Sequence, residues 1–278
     1  EDVFFSSDSK HKLSPGDEVL VPAVSWSTTY NPLSQYGLHL KFIDVDLHTL
    51  NYDLSALEDA ITTKTRAIMA VNLLGNPNDF SQIKSIIGDR EIILLEDNCE
   101  SMGGKYKNKL LGTLGEIGVV SYDFGKTITC GEGGMIFTND KKLDKYVRDY
   151  HDHGHELNPK FPRGEDTVKI VGFNYRMTEM QAIVGKEQLK KLNKIIKENK
   201  KRYKKLEKKI KNVASLREEP KNGEQIYDTL ILFMKNKKKR NEIVNLLKKK
   251  GFGTKNLPDA IKWHCASFWK HALPGNQI

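Results

Sequence analysis

EIILLEDNCESMGGKYKNKLLGTLGEIGVVSYDFGKTITCGEGGMIFTND, residues 91–140, is the stretch whose reading decides the fold. It contains three short apolar runs, at 91–96, 117–123 and 134–138, separated by polar and glycine-bearing segments. Near-continuous apolar runs of this length read as strands buried on both faces, the pattern of a parallel sheet. The first run ends at Asp97, and the second leads through Ser121 to Lys126, just before Gly131-Glu132-Gly133-Gly134. Open α/β sheets place their ligands at the carboxyl ends of such strands, so the polar residues that close these runs are the ones to examine.

Working outward, further strands are predicted at 19–22, 40–45 and 66–72, with helices at 54–61 and 80–87 between them. Asn78 and Asp79 are possible caps for the second helix. Downstream, helices are predicted at 143–150 and 178–192, the latter opened by Thr178-x-x-Gln181, which resembles a capping box. The alternation predicts an α/β fold, a mostly parallel sheet flanked by helices. Past residue 212 the pattern changes to a strand at 229–234, a helix at 240–250 and a loop rich in Trp, His and Gly. The expected division is a large unit over 1–190, then a long basic helix and part of a smaller α+β domain over 191–278. One feature resists: a strand predicted at 3–7 is joined to 19–22 by only about eleven residues, fewer than a parallel crossover with its helix needs.

The chain has 278 residues with 29% charged and 38% hydrophobic, the balance of a globular protein with a sizeable core. No apolar run approaches the ~18 residues of a membrane span, and Glu1-Asp2 is unlike a basic leader, so a soluble cytoplasmic protein is expected. Cys99, Cys130 and Cys265 are far apart and suggest neither a disulfide framework nor a zinc ribbon. The net charge of +9 resides in residues 190–211, where 12 Lys/Arg face only Glu198 and Glu207. There Leu189, Leu192, Ile196, Tyr203, Leu206 and Ile210 recur at helical spacing. That is an amphipathic helix with a solvated lysine face, so no nucleic-acid partner is expected.

Each chemical signal is weak alone. Asp97 also reads as an ordinary strand-end aspartate, Ser121 as a hydroxyl that satisfies strand-end backbone, Lys126 as one of many lysines, and Trp26, in VPAVSWSTTY, as core. The run His151-Asp152-His153-Gly154-His155 carries good transition-metal ligands, yet Gly154 suggests a turn, and no metal is expected.

Taken together, the chain resembles the DegT/DnrJ/EryC1/StrS family of pyridoxal-phosphate-dependent sugar aminotransferases. The matching stretches are PGDEVLVPAVSWSTTYNPL, FIDVDLHTLNYDLSALEDAITTKTRAIMAVNLLGNP, LLEDNCESMGGKYKNKLLGTLGEIGVVSYDFGKTITCGEGGMIFTND and GFNYRMTEMQAIVGKEQLKKL. The resemblance implies fold-type I and pyridoxal 5'-phosphate. It makes Lys126 the Schiff-base lysine and proton carrier, Asp97 the partner of the pyridine nitrogen, Trp26 the ring-stacking aromatic and Ser121 a phosphate-binding hydroxyl. Asn174 matches the asparagine that reaches the neighbouring subunit's phosphate, which implies a homodimer with shared sites. One departure stands out: after FFSS comes DSKHKLSPGDEV, without the Gly-Thr turn and helix that hold the phosphate in the family. The C-terminus, HALPGNQI, also stops before the small domain would be complete.

The segments GFGTKNLPDAIKWHCASFW and YHDHGHELNPKFPRGEDT resemble the branch of 8-amino-3,8-dideoxy-manno-octulosonate transaminases. That narrower resemblance implies an oxidised eight-carbon sugar acid as acceptor, in lipopolysaccharide sugar biosynthesis, with L-glutamate as donor. It makes His153, Arg163, Arg176, Lys255 and His264 candidates for holding the acid. The alternatives are a nucleotide-linked 4-keto sugar as acceptor, or a catalytically silent protein that kept the fold. A sugar 3-dehydratase is a further rival, although the family's dehydratases carry histidine in place of the lysine.

Overall fold

The computed structural model describes residues 12–254 and 264–269. The strand predicted at 3–7 and the candidate Lys255 lie outside them. β1 (Glu18–Pro22), β2 (His39–Ile43), β3 (Thr65–Val71), β4 (Ile93–Asp97) and β7 (Ile117–Ser121) are parallel, and β8 (Gly134–Phe137) runs antiparallel beside β7. The sheet order is β2-β1-β3-β4-β7-β8. Alternate residues feed two cores, as the strand period of two requires. Val19, Val21, Ile93 and Leu95 face one cluster with Tyr30, Leu33 and Leu40, while Leu20, Ile68 and Leu94 face another with Leu57, Phe80 and Ile83.

The helices start where capping chemistry places them. Asp53 accepts from the Ser55 and Ala56 amides at the start of α2 (Leu54–Ala60), and Asp79 accepts from Gln82 at α3 (Phe80–Ile87). Asp140 caps α4 (Lys141–His151), and the Thr178–Gln181 capping box forms at α5 (Glu179–Leu189). Each cap satisfies amides that have no partner inside the helix. Ahead of them, α1 (Asn31–Gln35) is a short turn after β1.

Three local features depart from the sequence reading. The helix predicted through 192 stops at Leu189, and α6 (Leu192–Ile210) starts afresh although neither Gly nor Pro intervenes. α6 packs on Gly103, whose φ of 91° favours glycine: a Cβ there would lie 2.5 Å from Ile196 Cδ1 and 3.3 Å from Leu192 Cδ2, so a side chain would also have to displace Ile196. A small hairpin, β5 (Lys105–Tyr106) and β6 (Lys109–Leu110), turns through Lys107 and Asn108, both left-handed at φ 48° and 63°. Two consecutive positive φ angles are the geometry of a two-residue type I′ hairpin loop. The strand predicted at 229–234 contracts to β11 (Leu232–Phe233), paired with β9 (Ser215–Leu216).

The segment after α6 returns to the first unit. β10 (Gly223–Glu224) pairs with β5. Arg217, 5% exposed, donates to the Leu73 and Leu74 carbonyls at 2.7 Å each. Burial lowers the Arg217 pKa to about 10, which leaves it charged at neutral pH. Contacts therefore cross the division expected near 190. α7 (Lys237–Lys249) follows and buries no residue among those described.

Candidate active site

The carboxyl ends of β1, β4 and β7 converge on one edge of the sheet, where Trp26, Asp97 and Lys126 stand close after their strands. Asp97 is held on both oxygens. Thr29 Oγ1 donates to Oδ2 at 2.7 Å, and the Cys99 amide donates to Oδ1 at 3.0 Å. Lys126 sits in a turn after β7, its amide bonded to the Asp123 carbonyl at 3.0 Å. Asp123 Oδ2 accepts from the Gly125 amide, and Thr127 Oγ1 donates to Asp228 Oδ2 at 3.0 Å. Cys99 reports on the pair. Its thiol pKa is raised by burial first and by the Asp97 carboxylate next, while the Lys126 cation pulls it down. The thiol is thus within electrostatic reach of both groups and stays protonated.

Trp26 is 44% exposed, unlike a core tryptophan, and its ring lies edge-on to His264 with centroids 5.1 Å apart. The 264–269 segment is docked on the loop after β1: the Ser25 amide donates to the His264 carbonyl at 2.9 Å and Ala266 to Ala23 at 3.2 Å. Ser121 closes β7, and its hydroxyl accepts from the Asp123 amide at 3.2 Å, the backbone-satisfying arrangement weighed for it. Hydroxyl oxygens retain further hydrogen-bonding capacity in that position.

This donor set fits pyridoxal phosphate in kind. A carboxylate is fixed on two donors, a lysine sits in a tight turn after the neighbouring strand, a tryptophan is partly exposed, and a hydroxyl lies at a strand end.

The other candidates gather elsewhere on the chain. Asp152, buried, receives Arg163 and Arg176, and His153 Nδ1 lies 3.1 Å from its Oδ1. The Arg163 hydrogen bonds hold the Asp152 carboxyl well below the usual carboxylate range, against the opposing effect of burial. His153, Arg163 and Arg176 are therefore engaged with a carboxylate of their own chain. The run 151–155 does not converge: His151 Nδ1 faces the Arg148 carbonyl and His155 Nδ1 lies 3.5 Å from Asp166 Oδ2. Among the described residues no group of three or more His, Cys, Asp or Glu is arranged to hold a metal. Asn174 is exposed and forms a backbone bridge with Asp152.

Sequence reasoning missed the groups that support Asp97. Buried Glu96 accepts from the Gly112, Leu114 and Gly115 amides at 2.6–2.7 Å, fixing the loop that leads into β7. Asn98 accepts from Asn72 Nδ2 at 2.5 Å, and Asn78 donates from its backbone amide to Asn72 Oδ1. The only signal was polarity in EDN directly after an apolar run.

The mostly parallel sheet, with Asp97 at the end of β4 and Lys126 in the turn after β7, has the architecture of fold-type I pyridoxal-phosphate enzymes. The chain belongs to the DegT/DnrJ/EryC1/StrS aminotransferase family, which it matches over residues 8–272. It is 48% identical over 206 residues to GDP-4-keto-6-deoxy-D-mannose 3-dehydratase of Escherichia coli O55:H7, covering 70% of this chain and 53% of that protein. It is 35% identical over 235 residues to GDP-perosamine synthase of Escherichia coli O157:H7, covering 84% and 63%. The chain thus spans about half to two thirds of the length of these relatives. Among solved structures, GDP-4-keto-6-deoxymannose-3-dehydratase (ColD) with bound GDP-perosamine superposes with a TM-score of 0.82 at 40% identity, covering 90% of this chain and 68% of that one. The same enzyme with a trapped PLP-glutamate geminal diamine gives 0.84 at 38%, covering 94% and 73%. The resemblance to the octulosonate branch is not matched by these relatives, which are named for GDP-linked sugars.

Proposed function

We propose that the chain is the large part of a pyridoxal-phosphate-dependent aminotransferase that moves an amino group from L-glutamate to a nucleotide-linked keto sugar. What supports the reading is Asp97, held on two donors at the end of β4, with Lys126 in the turn after the neighbouring strand β7 and Cys99 in the field of both. When bound, the cofactor supplies an electron sink for the bonds at the reacting carbon. Lys126 Nζ takes and returns the proton at that carbon. Asp97 holds the proton on the ring nitrogen, Trp26 covers one face of the ring, and Ser121 adds a hydroxyl for the phosphate. A lysine rather than a histidine at 126 favours amino transfer over the 3-dehydration for which the ColD relative is named.

The nucleotide-linked acceptor is preferred over the free eight-carbon acid for two reasons. Arg163 and Arg176, two of the candidates for the acid's carboxylate, are committed to Asp152. The relatives are also named for GDP-linked sugars. With 15N-labelled L-glutamate as donor, mass spectrometry is expected to find the label in a GDP-linked 4-keto-6-deoxy sugar faster than in the oxidised octulosonate. Preferential labelling of the octulosonate would reverse the choice of acceptor. Loss of the 3-hydroxyl without label incorporation would make the protein a dehydratase.

The working unit is proposed to be a homodimer with shared sites. Met180, Ile183 and Val184 of α5 are exposed, and so are Phe173 and Tyr175, stacked 5.3 Å apart, and Met135 and Ile136 on the edge strand β8. α5 lies over the start of that strand, with Gly185 next to Cys130 and Met177 next to Gly133. So much exposed apolar surface on adjoining elements is what a second copy covers. Exposed Asn174, next to Phe173 and Tyr175, would then face the partner's phosphate. Ile183→Glu is expected to shift the protein to monomers in sedimentation at micromolar concentration, and an unchanged sedimentation coefficient would count against this face.

A further inference from the structure

We propose that Ser25 and Thr29 form a hydroxyl relay that positions the Asp97 carboxylate toward the ring nitrogen of the cofactor. The proposal rests on the functional reading above. Both hydroxyls are buried, Ser25 at 2% and Thr29 at 7% exposure. Thr29 Oγ1 lies 2.7 Å from Asp97 Oδ2 and 2.9 Å from Ser25 Oγ. Direction follows from valence: an ionised carboxylate only accepts and a hydroxyl has one proton. The Thr29 proton therefore goes to Asp97, and Ser25 must donate to the Thr29 oxygen.

The consequence is a carboxylate with one donor on each oxygen, Thr29 on Oδ2 and the Cys99 amide on Oδ1. Rotation about Cβ–Cγ breaks at least one of these bonds, so the plane of the carboxylate is set by the protein before any ligand arrives. Thr29 closes the short helical turn Ser27–Thr29, whose first bond runs from the Thr29 amide to the Trp26 carbonyl. One turn thereby carries both the ring-facing indole and the donor to Asp97. The turn is braced from behind. Ser25 is fixed by its amide on the His264 carbonyl, and Tyr30 packs on buried Trp269 at 4.9 Å between centroids while its hydroxyl donates to the Pro22 carbonyl. The 264–269 segment is thus linked to Asp97 through Ser25 and Thr29.

The test uses the full chain loaded with pyridoxal phosphate labelled with 15N in the ring. Thr29→Val keeps the shape and removes the donor. It is expected to move the ring-nitrogen resonance toward the unprotonated position and to lower kcat about 10-fold with KM within about twofold. Thr29→Ser is expected to keep the wild-type resonance and rate, and Ser25→Ala to produce a smaller shift in the same direction. If Thr29→Val does not fold, Ser25→Ala and Thr29→Ser decide by the same readouts. An unmoved resonance in both Thr29→Val and Ser25→Ala, or a Thr29→Ser protein as impaired as Thr29→Val, would falsify the relay while leaving the aminotransferase reading in place. A wild-type chain that takes up no cofactor overturns the functional reading, and the relay with it.

Discussion

Lys126→Ala is expected to lower amino transfer by roughly a thousandfold or more, because it removes the amine proposed to form the link to the cofactor and to move the proton. The fold should survive. Lys126 is only half-buried, and the turn around it is closed by the Lys126 amide on the Asp123 carbonyl and by Asp123 Oδ2 on the Gly125 amide, neither of which needs the side chain. Borohydride treatment of the cofactor-loaded wild type, followed by peptide mapping, should leave the pyridoxyl label on Lys126. A label on another lysine, or a Lys126→Ala protein with appreciable turnover, would remove the residue from the reaction.

Asp97→Asn should be the next most damaging change, with turnover reduced roughly a hundredfold and cofactor binding largely kept. The amide preserves volume and can still accept from Thr29 or Cys99 through its one oxygen, but it carries no charge to hold a proton on the ring nitrogen. Trp26, partly exposed, would still contribute stacking. Turnover and cofactor affinity measured on the same preparation separate the two effects. Loss of binding with normal turnover at saturating cofactor would make Asp97 a structural residue of the β4 terminus.

The two residues with the largest expected effects were the ones legible in the sequence. Asp97 directly follows one apolar run and Lys126 lies in the turn after the next, and a short run bounded by polar and glycine residues reads as a buried parallel strand whose carboxyl end it places. The caps at Asp79 and Thr178 were legible for the same reason, since they satisfy amides within three residues. Glu96 was not, because the donors to its carboxylate are the amides of Gly112, Leu114 and Gly115, placed by how the loop folds back and not by any period in EDNCES. Arg163 and Arg176 were legible as cations but not as partners of Asp152, since a guanidinium reads the same in sequence whether it awaits a ligand or holds its own chain.

By itself, then, the sequence determined the alternation of strand and helix, the strand end at Asp97 and the turn at Lys126, and the confinement of the net charge to residues 190–211. These follow from periodicity and chain order, which are local. Tertiary structure alone decided the break between α5 and α6 over Gly103, the return of Arg217 to the Leu73 and Leu74 carbonyls, and the docking of 264–269 behind Ser25. Each of those joins groups far apart in the chain, where the choice of partner depends on which buried polar atoms and which close-packed surfaces the rest of the fold leaves to be satisfied.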